Sequence, residues 1–428
     1  MQINLNSWKY NSNYLQKSLI CYNGFGGDKG MLINRPGYLR FLHDWKNKQI
    51  IKVISGIRRS GKSTLFEMFV SDLKAQGIND EQIIQINFED VEYEELQDYK
   101  SLYNYVKSRL VPGKMTYIFL DEIQHVADYQ KAVDALFIKE NTDVYITGSN
   151  AYFMSGELAT LLSGRYVELK ILPLSFKEYC SAFDVSKTKE ELYRDYLYNS
   201  SFPYTVGLQG RRNIHAYLDG IYNTVVLNDI VTRKKVQDPS MLKSVIKFMF
   251  DNIGNLCTIK KISDSMTSSG RKISNHTVEN YIEGITESLL MYRVGRYDIR
   301  GKGYLQLNEK YYLADIGLRY YLLGTRDVDQ GRILENIVYL ELCRRGYEVY
   351  VGKIGTTEVD FVAISEDGKI EYYQVSLSVR DKNTLERELR PLNDISDHHP
   401  KYLLTLDNDP PNFHNGIEQV YVLDWLLK

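Results

Sequence analysis

Cysteine is scarce in this chain, and long apolar runs are absent. The four cysteines lie far apart and none forms a CxxC pair: Cys21, Cys180, Cys257 and Cys343. This spacing argues against a zinc site or a disulfide framework and fits a reducing compartment. No apolar run approaches the roughly 18 residues of a membrane span, and the N-terminus lacks the basic and apolar blocks of a signal peptide. We therefore expect a cytoplasmic protein that makes no membrane contact.

The chain also lacks a strong charge of either sign. Its formal net charge is -2 over 428 residues, so a nucleic-acid role would need a local basic patch. Hydrophobic residues make up 43% and charged residues 25%, which is usual for a globular protein. At about 100–200 residues per domain, the length predicts two to four domains.

Short apolar runs alternate with amphipathic stretches over residues 35–173. The runs predict five strands, at Ile50–Ser55, Ile83–Asn87, Tyr117–Leu120, Val144–Thr147 and Tyr166–Leu172. After the first strand, one helical face carries five apolar residues, Leu65, Phe66, Phe69, Val70 and Leu73. Strands separated by helices predict an α/β fold with a parallel sheet and crossover helices. Residues 1–34, which show no clear period, are interpreted as a flexible N-terminal arm.

The pattern changes after this predicted core. Residues 174–240 are typical of a helical lid, with one clear helix over Tyr217–Arg233. Residues 241–310 suit a winged helix-turn-helix, because three predicted helices precede a hairpin-like tail rich in Gly and Arg. These helices are Leu242–Asn252, Ile259–Thr267 and His276–Ser288. Residues 311–428 alternate in the order α-β-β-β-α-β and predict a separate small α/β domain.

One segment carries a specific phosphate-binding pattern. Residues 56–63 match G-x-x-x-x-G-K-[ST], with an apolar strand before them and an amphipathic helix after them. The two glycines let the backbone wrap around phosphates, whose charge then faces N–H groups and a helix N-terminus. Lys62 is expected to reach the β- and γ-phosphates, and Ser63 to ligate magnesium. The predicted nucleotide-binding residues are Gly56, Ile57, Arg58, Arg59, Ser60, Gly61, Lys62, Ser63 and Thr64.

Two acids complete the predicted site. Asp121 and Glu122 follow three apolar residues, so they are expected at the C-terminal end of a buried strand, where ligands of parallel sheets bind. Asp121 is the candidate magnesium acid, and Glu122 is the candidate base that orients and deprotonates water. The alternative is that these acids only cap a helix after a core strand. The phosphate-binding pattern at 56–63 makes this alternative less favoured.

Weaker candidates lie near the ends of other predicted strands. Ser149 or Asn150 is placed to bond the γ-phosphate or water, unless this segment is simply a turn. Arg165 is a candidate for stabilising charge on the γ-phosphate of a neighbouring subunit, which would require a homo-oligomer; an ordinary surface arginine is the alternative. Glu89 ends another strand and is a candidate for orienting groups of the site.

Four segments together resemble a known family. GIRRSGKS, FLDEIQ, TGSN and LSGR are similar to the AAA-type P-loop ATPases of bacteria and archaea that carry an uncharacterised C-terminal domain, and the likeness covers roughly residues 35–428. The resemblance implies an AAA-type sheet, ATP and Mg2+ as cofactors, and catalytic roles for Lys62, Asp121 and Glu122. It also makes Asn150 a sensor and Arg165 an arginine-finger candidate.

The winged-helix candidate carries mixed charge. Its basic residues are Lys260, Lys261, Arg271, Lys272, Arg293, Arg296, Arg300 and Lys302. Its third helix carries Glu279, Glu283 and Glu287, which would repel phosphates, whereas the tail 293–302 is basic. DNA contact and a purely structural module both stay open.

The last region resembles the restriction-endonuclease-like fold with its PD-(D/E)xK signature. Glu335 and Asp360 match its acids, but Gln374 and Ser376 stand where an acid and a lysine are expected. Metal-assisted cleavage needs carboxylates around the ion and a group that positions water. The sequence therefore predicts a degenerate domain that recognises a partner or supports assembly.

The function that the sequence favours is Mg-dependent ATP binding and hydrolysis by a molecular switch that acts on DNA or on a protein client. One alternative is an ATP-gated nuclease. Another is a signalling or scaffold protein that holds nucleotide and turns it over slowly.

Overall fold

The computed structural model describes residues 21–23, 29–149, 162, 164–183, 186–301, 303–325 and 330–428. Most of the N-terminal arm predicted over 1–34 lies outside these residues. Its described parts include a short antiparallel pair, β1 (Cys21–Asn23) and β2 (Lys29–Met31). Helix α1 (Pro36–Trp45) then begins with proline at its first position, where the missing N–H costs nothing.

A five-stranded parallel sheet follows. Its strands are β3 (Ile51–Ser55), β4 (Ile83–Asn87), β5 (Thr116–Asp121), β6 (Thr142–Gly148) and β7 (Tyr166–Lys170). They lie in the order β4-β5-β6-β3-β7, and every pairing is parallel. The predicted α/β class is confirmed, and the C-terminal ends of β3, β5 and β6 meet at one edge.

Helices cover both faces of this sheet, which explains why β3 and β5 are mainly apolar and buried throughout. Helix α2 (Lys62–Ala75) packs with α1 on one face. Helices α3 (Tyr99–Lys107) and α4 (Tyr129–Phe137) pack on the other. The five apolar residues predicted to share one face of the α2 helix are all buried.

The next region is helical, as predicted. It contains α5 (Phe176–Ser181), α6 (Lys189–Asn199) and α7 (Arg211–Thr224), and α7 continues as a π-helical segment, Val225–Thr232. Such i→i+5 segments are rare and occur frequently at functional sites.

Three helices and a hairpin follow, in the order predicted for residues 241–310. They are α8 (Pro239–Asp251), α9 (Ile259–Ser268), α10 (Asn275–Glu287), β8 (Met291–Asp298) and β9 (Gly303–Leu313). Helix α10 packs against the π-helical segment: a Cβ on Gly284 would lie 2.8 Å from Cγ2 of Ile230. Glu283 and Glu287 form ion pairs with Lys234, at 3.4 and 3.0 Å. This face of α10 is therefore covered by the chain itself.

The C-terminal part continues the sheet that the hairpin begins. It comprises α11 (Ile316–Leu323), α12 (Gln330–Arg344), β10 (Glu348–Ile354), β11 (Thr357–Ile364), β12 (Ile370–Ser376), α13 (Lys382–Asn393), β13 (Lys401–Thr405), β14 (Asn412–His414), β15 (Ile417–Tyr421) and α14 (Val422–Leu427). The strand order is β14-β15-β13-β12-β11-β10-β8-β9, because β10 pairs in parallel with β8. The predicted boundary between residues 310 and 311 falls inside β9, so the hairpin and the C-terminal strands share one sheet.

Two further features of the described residues concern membrane-spanning helices and the cysteines. Over these ranges, no helix is both long and apolar enough to cross a membrane. Cys180, Cys257 and Cys343 are free thiols.

Candidate functional site

The loop between β3 and α2 has a backbone that only certain residues adopt easily. Gly61, which precedes the first residue of α2, has a φ of 97°, and Arg59 has a φ of 67°. Positive φ values suit glycine, and they turn the chain sharply from the strand into the helix. The loop predicted from residues 56–63 therefore forms a tight turn at the C-terminal edge of the parallel sheet.

Gly56 is required for a steric reason. A Cβ at this position would lie 2.4 Å from the backbone oxygen of Ile171 and 2.9 Å from Oγ of Ser60. The Ile171 backbone is fixed, since its N–H donates to the Ser55 carbonyl at 2.7 Å. Any larger side chain would push the loop away from β7.

The first turn of α2 points N–H groups out of the loop. The first four N–H groups of a helix have no intrahelical acceptor, and among the residues described no side chain caps this terminus. Lys62 lies in the same turn with only 3% of its side chain exposed, and its Nζ donates to the Gly56 carbonyl at 3.1 Å. The cradle thus gathers a helix N-terminus and a buried ammonium, an arrangement that attracts phosphate.

Arg35 braces this loop from outside. Its guanidinium donates to the carbonyl of Ser60 at 2.9 Å and to that of Leu172 at 2.8 Å. It also forms an ion pair with Glu178 of α5 at 3.0 Å. No local sequence pattern indicates this role, because Arg35 contacts residues up to 143 positions away.

Asp121, at the end of β5, lies beside the loop. Its carboxylate accepts a hydrogen bond from Oγ1 of Thr147 at 2.5 Å. Burial raises the pKa of Asp121, although the nearby Ser63 side chain, Thr147 and Lys62 oppose the rise. The predicted magnesium pair, Ser63 and Asp121, is therefore brought together.

Glu122 adopts a left-handed conformation with a φ of 51°. Its N–H donates to Oγ1 of Thr147 at 2.9 Å, so one hydroxyl fixes both acids. Its carboxylate lies 3.4 Å from Nζ of Lys62 and accepts a hydrogen bond from Gln124. Burial opposes ionisation of Glu122, but Lys62, Gln124 and Arg58 outweigh it and lower the pKa. These contacts therefore favour the carboxylate form of Glu122.

These donors fit a magnesium-bound nucleotide. Magnesium prefers hard oxygen ligands, and Ser63 and Asp121 present a hydroxyl and a carboxylate at one point. A polyphosphate fits the uncapped end of α2 and the Lys62 ammonium.

Comparison with known proteins agrees with this geometry. An AAA domain model matches residues 48–180, and a domain of unknown function (DUF8612) matches residues 190–329. An uncharacterised protein of Haemophilus influenzae is 43% identical over 401 residues, covering 93% of this chain and 99% of that protein. The chain belongs to this family of AAA-type P-loop ATPases.

The family extends to archaea. An uncharacterised protein of Methanocaldococcus jannaschii is 30% identical over 387 residues, covering 85% of this chain and 81% of its own. Among solved structures, a Walker-type ATPase of Pyrococcus abyssi matches with 15% identity and a TM-score of 0.49, covering 68% of this chain and 96% of that one.

Three further candidate site residues of this AAA-type ATPase are Asn150, Ser149 and Glu89. Asn150 lies outside the described residues. The hydroxyl of Ser149 is within 3.3 Å of Nε2 of Gln124, the residue that bonds Glu122. Glu89 pairs with Arg58 at 3.0 Å, with 49% of its side chain exposed. Ser149 therefore contacts the site through Gln124, and Glu89 contacts it through Arg58.

Arg165 is not brought to the phosphate loop of its own chain. Its carbonyl accepts from the N–H of Ile51, at the start of β3, whereas the loop follows Ser55 at the other end. Five strand residues span about 16 Å. The Arg165 side chain pairs with Asp134 and lies over the ring of Phe137. The role of Arg165 as an arginine finger stays a prediction, and this role would require a second subunit.

The acids predicted in the nuclease-like region of this ATPase surround a lysine that the sequence pattern did not reveal. Nζ of Lys310 on β9 lies 2.9 Å from Glu335 and 2.8 Å from Glu358. Asp360 accepts from the N–H of Val375 at 2.8 Å, and burial raises its pKa well above the usual range. No group of three or more His, Cys, Asp or Glu side chains within the described part of the chain is arranged to hold a metal. The restriction-endonuclease-like fold stays a prediction.

Proposed function

We propose that this AAA-type ATPase binds Mg-ATP, hydrolyses it and works as a molecular switch. The observation that carries the proposal is the meeting of Lys62, Asp121 and Glu122 at the uncapped N-terminus of α2. Phosphoryl transfer to water requires groups that hold the phosphates, ligands for magnesium and a residue that orients the water, and these side chains suit all three tasks.

Each residue has a distinct task in this proposal. The loop N–H groups and Lys62 hold the phosphates, and Ser63 and Asp121 hold magnesium, which neutralises phosphate charge when bound. Glu122 orients water and accepts its proton; its lowered pKa keeps it ionised at neutral pH. Thr147 holds both residues in place, because its hydroxyl donates to the Asp121 carboxylate and accepts from the backbone N–H of Glu122.

Steady-state turnover of ATP in the presence of magnesium tests the proposal. Glu122→Gln keeps the shape of the side chain but removes the base, so we expect ATP to bind while kcat falls about 100-fold or more. Lys62→Ala removes the buried ammonium, so we expect both binding and turnover to be lost. Equal turnover in the wild type and Glu122→Gln would favour the alternative of a slow nucleotide-binding scaffold.

Action on DNA receives little support from α10. One face of this helix packs on the π-helical segment through Gly284, and two of its glutamates pair with Lys234. Any DNA contact would therefore use the hairpin β8–β9 and the phosphate backbone. Turnover measured with and without duplex DNA separates the two clients: stimulation favours DNA, and indifference favours a protein.

An ATP-gated nuclease is the less favoured alternative. The ammonium of Lys310 already pairs with Glu335, one of the two acids predicted for a nuclease, and with the nearby Glu358. Cleavage that depends on a divalent metal and is abolished by Asp360→Ala would restore this alternative.

A further inference from the structure

Arg58 is the third residue of the phosphate loop, and its side chain is held in the site. Its Nε lies 3.0 Å from Oδ2 of Asp229, which belongs to the π-helical segment after α7. Its Nη1 donates at 3.0 Å to Glu89, which follows the end of β4. Only 18% of the side chain is exposed. Arg58 therefore joins the loop, the parallel sheet and the predicted lid.

Arg58 also lies near the candidate base. It interacts electrostatically with Glu122, whose carboxylate is 3.4 Å from Lys62. Water that Glu122 activates must lie beside this carboxylate, and the γ-phosphate that it attacks must lie beside Lys62. Arg58 thus belongs to the loop that gathers the phosphates, and its charge acts on the candidate base beside them.

Other arginines fit this task less well. Arg165 lies at the opposite edge of the sheet in its own chain. Arg59, the next loop residue, is exposed and has a φ of 67°, and its charge acts on Tyr217 of α7. Among these three, Arg58 alone combines a place in the loop with a charge that acts on Glu122.

We propose that Arg58 is a catalytic residue that stabilises the transferring phosphoryl group from within its own chain, and that Asp229 is its positioning residue. The proposal rests on the proposed ATP hydrolysis and adds to it an arginine finger in cis. An arginine in this role contributes about 10³–10⁵ in kcat in other phosphoryl-transfer enzymes.

Asp229 suits the positioning role because it is rigidly placed. It is 4% exposed, and the neighbouring Ile230 packs against Gly284 of α10. Burial raises the pKa of Asp229, although the Arg58 guanidinium opposes the rise. A buried carboxylate on the predicted lid therefore orients the guanidinium, and movement of the lid would reorient it.

The test compares Arg58→Ala with Arg380→Ala, a matched loss of an arginine that pairs with two carboxylates, Asp407 and Asp409, outside the phosphate loop. The measurements are ADP affinity, kcat for ATP, and capture of ADP with aluminium fluoride, which mimics the transferring group. For Arg58→Ala we expect ADP affinity within about threefold of the wild type, a fall in kcat of at least about 100-fold, and loss of capture. Arg380→Ala should stay within about threefold in all three.

Several results would overturn the proposal. One is an Arg58→Ala protein that keeps more than about a tenth of its kcat, and another is one that loses ADP binding. If Arg58→Ala fails to fold, Arg58→Lys decides, with kcat expected to fall about tenfold or more at unchanged ADP affinity. A wild type that binds ATP without turnover overturns the proposed function as well, whereas turnover lost in Glu122→Gln but kept in Arg58→Ala overturns the role of Arg58 alone.

Asp229→Asn tests the positioning role. The change keeps the shape of the side chain but weakens its hold on the guanidinium, so we expect kcat to fall about tenfold while KM stays within about threefold. Glu89→Gln is the control, since half of Glu89 is exposed, and it should change kcat less. A raised KM at unchanged kcat for Asp229→Asn would show that this residue only holds the lid closed.

Discussion

Replacing Gly56 with alanine should lower both the stability of the fold and the turnover of ATP. The added Cβ would lie 2.4 Å from the Ile171 oxygen, whereas close C–H···O contacts are about 3.3 Å long, so the loop must move by about 0.9 Å. Gly56 is not among the residues with positive φ, so alanine meets no backbone penalty and the effect is purely steric.

Two magnitudes follow from this displacement. Overpacking of this kind costs about 1–3 kcal/mol of unfolding free energy. A shift of about 1 Å in a binding group can cost about 100-fold in rate, so we expect a loss of that order in kcat/KM for ATP. Urea denaturation and ATP turnover measure the two quantities on the same preparation.

Gly37→Ala is the control for this change. Gly37 lies in the first turn of α1, and a Cβ there would meet nothing within 4 Å. It should leave turnover unchanged and raise stability by at most about 1 kcal/mol, as expected for alanine in a helix. A Gly56→Ala protein with the turnover of the wild type would refute the steric argument.

Three further predictions concern other buried or paired charges. Asp143→Leu leaves the fully buried Lys52 without its partner, so it should lower the free energy of unfolding by about 3–5 kcal/mol in urea, and adding Lys52→Met should recover most of the loss. Arg165→Ala should leave turnover of dilute protein within about twofold of the wild type; a deficit that grows with protein concentration would indicate action across subunits. Lys310→Met leaves Glu335 buried without its ammonium and should cost about 3 kcal/mol, measured by thermal unfolding, whereas unchanged stability would show that the pair contributes little.

Local patterns in the sequence predicted much of the core. The apolar period of α2 and the runs before Ser55 and Asp121 depend on near neighbours, so these elements are found close to their predicted bounds. The phosphate loop was equally predictable, because its glycines and lysine act within eight residues.

Contacts between distant segments were not predictable in this way. Arg58 and Asp229 are 171 residues apart, and no local sequence pattern predicts that they are in contact. The parallel pairing of β8 with β10 likewise joins segments that the sequence assigned to separate domains. Such pairings depend on tertiary packing, which periodicity and motif spacing do not encode.

The most direct test of the central claim is calorimetric titration of ATP into the wild type and Lys62→Ala, with and without millimolar magnesium. We expect the wild type to bind ATP more tightly with magnesium, and we expect Lys62→Ala, folded to the same extent, to give no binding heat. A folded wild type without binding heat, or equal binding by both proteins, would contradict the claim that this loop holds Mg-ATP.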